Sequence, residues 1–160
     1  MDLYGELILD HSKRPVGGGL REDFGAEVHH INPTCGDEVT LRVHLGETDG
    51  VPVLSDLSYD ALGCSISMAS TSILAQECVG LPVAETLDTY GHVKAMLTSR
   101  GTDPGDAEQI GDAVALAGVA KYPARVKCAL LGWTAYLDAL AQAGQDITTP
   151  SASVSPDVRS

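Results

Sequence analysis

The spacing of apolar residues changes along the chain, and each change predicts a different kind of element. From Leu3 to His11 the apolar positions recur at helical spacing, and Lys-Arg-Pro followed by three glycines ends the run. From Val39 to Leu45 apolar and polar residues alternate, which is typical of a half-buried strand, with apolar segments before and after it. The predicted strands are 28–31, 39–45 and 53–62. Their short connections favour an antiparallel meander.

After Gly63 the spacing becomes helical again. It predicts helices over 65–79, 83–97, 107–119 and 125–143. Strands followed by helices indicate an α+β domain, a three-stranded antiparallel sheet packed on one face by helices. We expect this domain to span residues 1–144. The tail, 145–160, is rich in Ser, Thr and Pro with few large apolar residues, so we expect it to be disordered.

Composition and charge narrow the class of function. The chain has 160 residues, of which 44% are hydrophobic and 20% charged, so one domain with a sizeable core is expected. Acidic residues number 22 against 10 basic, a net charge of −12, which disfavours binding to nucleic acid. No run reaches the roughly 20 apolar residues of a membrane helix, and the acidic start is unlike a secretory signal. We therefore expect a cytoplasmic protein without a membrane or nucleic-acid partner.

The cysteines carry the candidate chemistry. In a reducing compartment they are metal ligands, nucleophiles or core thiols rather than disulfides. Cys35 and Asp37 flank a glycine in a turn between two predicted strands, so a thiolate and a carboxylate can converge there on one cation. The same residues are also consistent with a small loop thiol and an aspartate that favours the turn. The spacing alone does not decide between these two interpretations.

Two further cysteines lie at predicted helix starts. Cys64 begins a helix whose free N–H groups and partial positive charge favour a thiolate, although a buried core thiol is the alternative. Arg125 lies one turn before Cys128, where its guanidinium would favour a second thiolate, unless it is merely a solvated surface cation. Cys78 lies at the far end of the helix that Cys64 begins, about 20 Å away, and is expected to be a core thiol.

Three segments together resemble the cysteine motifs of the IscU/NifU-like iron–sulfur assembly family. They are Asn32-Pro33-Thr34-Cys35-Gly36-Asp37, Gly63-Cys64-Ser65-Ile66-Ser67-Met68-Ala69-Ser70 and Arg125-Val126-Lys127-Cys128. The resemblance extends over residues 3–142. Scaffold members have a histidine at the position of Lys127 and a shorter stretch around residues 98–112. Both departures are similar to the SufU branch of the family.

Membership in that branch implies a fold, a metal and a reaction. The implied zinc ligands are Cys35, Asp37, Cys64 and Cys128, with Cys35 as the sulfur acceptor and Arg125 supporting the site. The implied activity is that of a sulfurtransferase, which takes persulfide sulfur from a cysteine desulfurase of the SufS type and relays it to a downstream Suf assembly scaffold. Four anionic ligands around Zn²⁺ leave a charge of about −2, which gives the nearby guanidinium an electrostatic reason to be present.

Two other functions remain open at the level of sequence. In the first, the same cysteines bind an iron–sulfur cluster and the protein is a scaffold or carrier. Lys127 in place of histidine argues against this function. In the second, a purely structural zinc domain serves as an adaptor for its desulfurase. Ligand types do not separate zinc from iron, because thiolates bind both.

Overall fold

The computed structural model describes residues 3–33, 36–145 and 147. Its elements in chain order are α1 (Leu3–Lys13), β1 (Ala26–Asn32), β2 (Asp37–Thr48), β3 (Val51–Leu62), α2 (Ser65–Cys78), α3 (Val83–Leu97), α4 (Ala107–Ile110), a 3₁₀ helix (Gly111–Lys121) and α5 (Pro123–Gln142). The strands form one antiparallel sheet in the order β1-β2-β3. The predicted α+β fold with an antiparallel meander is confirmed.

Burial along β2 shows why this segment is a strand with two different faces. Val39, Leu41 and Val43 are fully buried, whereas the intervening Thr40 and Arg42 are partly exposed. This alternation places one face of the sheet against the helices, because successive side chains of a strand point to opposite sides. In the hairpin between β2 and β3, Asp49 and Gly50 both have positive φ, which suits the tight turns that join antiparallel strands.

The helices cover the inner face of the sheet, with α5 in contact with β1, β2 and α2. Its Trp133 and Tyr136 are fully buried and belong to the same core cluster as Leu41 and Leu57 of the sheet. Helix α1 is held by His11, whose ring nitrogens bond Ser72 Oγ at 2.7 Å and Asp112 Oδ2 at 3.0 Å. These contacts join α1 to the middle of α2 and to the start of the 3₁₀ helix.

The predicted helix over 107–119 differs from the structure. A short α-helix ends at Ile110, and the chain continues as a 3₁₀ helix from Gly111. Gly111 has φ +56°, and a Cβ there would lie 2.1 Å from Glu77 Oε1. The α-helix therefore ends where the backbone takes a conformation that favours glycine and approaches α2 closely. This approach is a tertiary contact that helical spacing does not contain.

The end of the chain was predicted as a disordered tail. Residues 146 and 148–160 lie outside the described residues, so this prediction and the domain boundary at 144 stay predictions. Of the helices in the described part of the chain, none combines the length and the apolar character that a bilayer crossing requires.

Candidate metal centre

Three residues from different elements converge at one end of the sheet. Asp37 is the first residue of β2, Cys64 directly precedes α2, and Cys128 lies near the start of α5. One ligand atom of each lies within 4.8 Å of those of the other two. Asp37 and Cys128 are 2% and 5% exposed, whereas Cys64 is exposed. The cluster is therefore buried on one side and open to solvent at one thiol.

Strand pairing and a glycine bring Asp37 to Cys64. Glu38 pairs with Leu62 across β2 and β3, which places Asp37 beside Gly63 at the end of the hairpin. A Cβ on Gly63 would lie 2.2 Å from Asp37 Oδ1 and 2.9 Å from Asp37 Cβ. The carboxylate therefore occupies space that any other residue at position 63 would fill.

The aspartate contacts both the backbone and the side chain of Cys64. The Cys64 N–H donates to Asp37 Oδ1 at 2.9 Å, and the Cys64 thiol donates to Asp37 Oδ2 at 3.4 Å. Cys64 is the N-cap residue of α2, with extended backbone angles, and its side chain makes no capping hydrogen bond to the helix. Asp37 thus satisfies one free N–H at the helix start and fixes the thiol beside its own carboxylate.

Cys128 is held from two sides. Its Sγ lies 3.6 Å from the carbonyl oxygen of Ala124, one turn earlier in α5. Asn32, the last residue of β1, donates from Nδ2 to Cys128 Sγ at 3.8 Å and is 6% exposed. Asn32 is also the cross-strand partner of Asp37. The pairing of β1 with β2 therefore places an amide donor and a carboxylate next to the thiols.

The donor set fits a tetrahedral metal ion. Zinc bonds of about 2.3 Å to sulfur and about 2.1 Å to oxygen put neighbouring S and O ligands roughly 3.6 Å apart. Cys64 Sγ and Asp37 Oδ2 are separated by 3.4 Å. Two thiols and a carboxylate are established zinc ligand types, and tetrahedral zinc takes a fourth. The fourth ligand predicted from the sequence, Cys35, lies outside the described residues.

Two other residues considered in the sequence analysis, Cys78 and Arg125, are not among the converging ligands. Cys78 is fully buried, and burial raises the pKa of its thiol to about 12, as expected of a core cysteine. Arg125 is exposed, and its guanidinium carbon lies 5.5 Å from the ring centre of Tyr122. Arg125 also lines a small cleft together with Ile8 and Ile66. The structure thus places Arg125 on the surface near the start of α5, and its role at the metal stays a prediction.

Sequence reasoning missed two residues of the site. Asn32 was part of the first motif, but only the structure shows its amide directed at Cys128. Gly63 separates the predicted strand from the helix. Only the structure shows that the Asp37 carboxylate occupies the space that a side chain at position 63 would take. A polar residue before proline and a glycine before cysteine are weak signals, since both are common in turns.

Comparison with known proteins identifies the family. A family model described as NifU-like N terminal domain matches residues 3–129. The chain belongs to this family. The family membership predicted from the three cysteine motifs is therefore confirmed.

Relatives within the NifU-like family have two kinds of name. The chain is 39% identical over 133 residues to the zinc-dependent sulfurtransferase SufU of Bacillus subtilis, which covers 83% of this chain and 86% of that protein. It is 36% identical over 138 residues to the iron–sulfur cluster assembly scaffold protein IscU of Streptococcus pyogenes, over 86% of this chain and 82% of that protein. One relative is thus named for zinc and sulfur transfer, and the other for scaffolding.

A solved structure agrees with the fold. The crystal structure of a candidate iron–sulfur cluster assembly scaffold protein for the SUF system, from Fervidobacterium islandicum, superposes with a TM-score of 0.70 at 31% identity. The match covers 84% of this chain and 94% of that one. The sheet and helices that carry Asp37, Cys64 and Cys128 therefore belong to a fold found in this family.

Proposed function

We propose that this protein acts in iron–sulfur cluster assembly as a zinc-dependent sulfur-transfer protein of the cytoplasm. It accepts persulfide sulfur from a cysteine desulfurase of the SufS type and passes it to a downstream Suf assembly scaffold. The observation that carries the proposal is the convergence of Asp37, Cys64 and Cys128. The proposal is also supported by 39% identity to a protein named as a zinc-dependent sulfurtransferase.

The residues that would hold zinc are Cys35, Asp37, Cys64 and Cys128. When bound, the ion keeps thiols deprotonated at neutral pH and holds the ends of β2, α2 and α5 together. Four anionic ligands and Zn²⁺ sum to a charge of about −2. Lys127 directly precedes Cys128 in α5, Arg125 lies three residues before it, and both are exposed, which supports a role for these cations in balancing that charge.

Sulfur transfer is a thiol exchange that balances without an oxidant. The Cys35 thiolate attacks the outer sulfur of the persulfide on the desulfurase cysteine. A new S–S bond forms on Cys35 while the S–S bond of the partner breaks, and its electron pair leaves on the partner thiolate. Cys35 then carries the persulfide, and the partner cysteine returns to its reduced state.

The surface beside the site suits a protein partner. Ile31 and Leu62 are 55% and 66% exposed, and both pair with Glu38, so they form one row across the sheet. Each directly precedes a residue of the site, Asn32 or Gly63. Exposed large apolar residues in one patch are typical of protein interaction surfaces. This row therefore supports docking of the desulfurase next to the thiols.

Leu62→Ser is expected to weaken binding of the desulfurase by about 10-fold, the effect of losing an interface contact of about 1.4 kcal/mol. The matched control is Val51→Ser, since Val51 is 46% exposed and begins the strand that Leu62 ends. The two positions are roughly 36 Å apart along β3. Isothermal titration with purified desulfurase measures both variants. Equal affinities of the two variants for the desulfurase would contradict docking at this row.

The experiment that tests the proposed function is metal and sulfide analysis of the chain purified without oxygen or chelator. About one zinc per chain, without iron or acid-labile sulfide, is expected for a closed tetrahedral site. Labelled sulfur should then move from the desulfurase to this protein. The 36% identity to an IscU scaffold favours a second function, in which the site holds an iron–sulfur cluster. Iron with an equal amount of sulfide would establish that function and overturn the sulfur relay.

A further inference from the structure

The side-chain amide of Asn32 is an unassigned donor in the candidate metal centre. Asn32 ends β1, is 6% exposed, and donates from Nδ2 to Cys128 Sγ at 3.8 Å. Its place is fixed by the sheet, because it is the cross-strand partner of Asp37. A buried amide needs a partner to offset its desolvation, and here one of its donors is directed at a ligand sulfur.

An N–H donor next to a metal-bound thiolate lowers the reactivity of that thiolate. The donor attracts electron density on the sulfur, so the sulfur keeps its bond to the metal but is less available to attack another group. Hydrogen bonds to ligand sulfurs also tune the properties of thiolate-bound metal centres. A neutral donor is well suited to a centre of charge about −2, because it spreads the negative charge without adding an ion.

The two described thiols of the site differ in their surroundings. Cys128 is 5% exposed and accepts from the Asn32 amide. Cys64 is exposed, and Asp37 Oδ2 lies 3.4 Å from its sulfur. A carboxylate oxygen is an acceptor when ionised and does not withdraw charge from a thiolate as an amide N–H does. The structure thus makes Cys128 the sheltered sulfur and Cys64 the open one.

We propose that Asn32 is a positioning residue that keeps Cys128 as a permanent ligand of the metal centre, so that sulfur chemistry takes place at the other thiols. The proposal rests on the proposed zinc-dependent function. It adds a residue outside the four implied ligands and a reason why one of the three site cysteines does not take part in transfer.

Asn32→Ala tests the proposal through metal binding, without the desulfurase. We expect the zinc dissociation constant, measured by competition with a chromogenic chelator, to rise about 10- to 100-fold, as for other residues that orient metal ligands. In the Co²⁺-substituted protein, the sulfur-to-metal charge-transfer band should shift from its wild-type energy. In the zinc-loaded protein, alkylation followed by peptide mass mapping should show Cys128 gaining reactivity relative to Cys64.

Two further variants separate positioning from stability. Asn32→Ser keeps a small donor and should recover part of the zinc affinity and of the Co²⁺ spectrum. Thr86→Val removes an equally buried hydrogen bond, to the Tyr136 hydroxyl at 2.6 Å, and lies in α3 outside the ligand cluster. It should lower the melting temperature but leave the zinc affinity and the Co²⁺ band unchanged.

Wild-type zinc affinity, an unshifted Co²⁺ band and an unchanged ratio of Cys128 to Cys64 alkylation in Asn32→Ala would overturn the role of Asn32 while leaving the proposed function intact. The same spectral and affinity changes in Thr86→Val would reduce Asn32 to a stability residue. A wild-type chain that binds no zinc would overturn the proposed function, and the role of Asn32 with it.

Discussion

Cys35→Ser is expected to lower sulfur acceptance from the desulfurase by more than about 100-fold, since a hydroxyl does not supply the thiolate that attacks a persulfide. The reaction is followed with ³⁵S-labelled cysteine, the desulfurase and this protein, separated on a non-reducing gel. The label should appear on the wild-type chain and be absent from the variant. Full acceptance by Cys35→Ser would contradict the assignment of Cys35 as acceptor.

Cys78→Ala is the matched cysteine control. Cys78 is fully buried in the core, and burial raises the pKa of its thiol to about 12, so it supplies almost no thiolate at neutral pH. Cys78 ends the helix that Cys64 precedes, so the two residues lie about 20 Å apart along the helix axis. We expect acceptance within about two-fold of wild type, because the thiol that is removed is not reactive. A loss as large as that of Cys35→Ser would show that the separation of Cys78 from the site is wrong.

Gly63→Ala is expected to lower zinc affinity by about 100-fold or more, because it removes the space on which the geometry of the ligands depends. The added Cβ would lie 2.2 Å from Asp37 Oδ1 and 2.6 Å from Asp37 Cγ. Asp37 is 2% exposed and accepts from the Cys64 N–H, so its carboxylate cannot move aside without breaking that bond. Zinc content and chelator competition measure the effect.

Gly46→Ala is the control for Gly63→Ala. Gly46 lies in β2, and the nearest atom to a Cβ at that position is Ser55 Cβ at 3.7 Å, an ordinary contact. It should retain wild-type zinc affinity. Asp37→Ala is the reference for loss of the carboxylate itself and should match Gly63→Ala in zinc content. A Gly63→Ala protein with wild-type affinity would show that Asp37 is not held in the position described.

Overall similarity does not separate sulfur relay from scaffolding. Relatives with both kinds of name share more than a third of their aligned residues with this chain, so the fold does not separate the two functions. Lys127, adjacent to Cys128, is the difference from the scaffold motif that lies nearest to the described ligands. A cation beside a thiolate-rich centre is consistent with a zinc site of charge about −2.

Local pattern was sufficient for much of the architecture. The alternation from Val39 to Leu45 and the helical spacing after Gly63 predicted the central strand and most helices, because these periods follow directly from backbone geometry. The segment predicted as one helix over 107–119 is helical, but as a short α-helix followed by a 3₁₀ helix. Gly111 turns the chain against Glu77 of α2, and such a long-range contact overrides helical spacing.

The candidate site, like the fold, was predicted from the sequence only in part. The sequence by itself determined the residue types and the family, since Cys35, Asp37, Cys64 and Cys128 lie in three motifs that can be read without coordinates. Only the tertiary structure decided that Asp37, Cys64 and Cys128 meet within 4.8 Å, because strand register and helix packing set the distances between residues far apart in the chain. The same packing directs the Asn32 amide at Cys128. No local pattern contains that contact, since it joins the end of a strand to the start of the last helix.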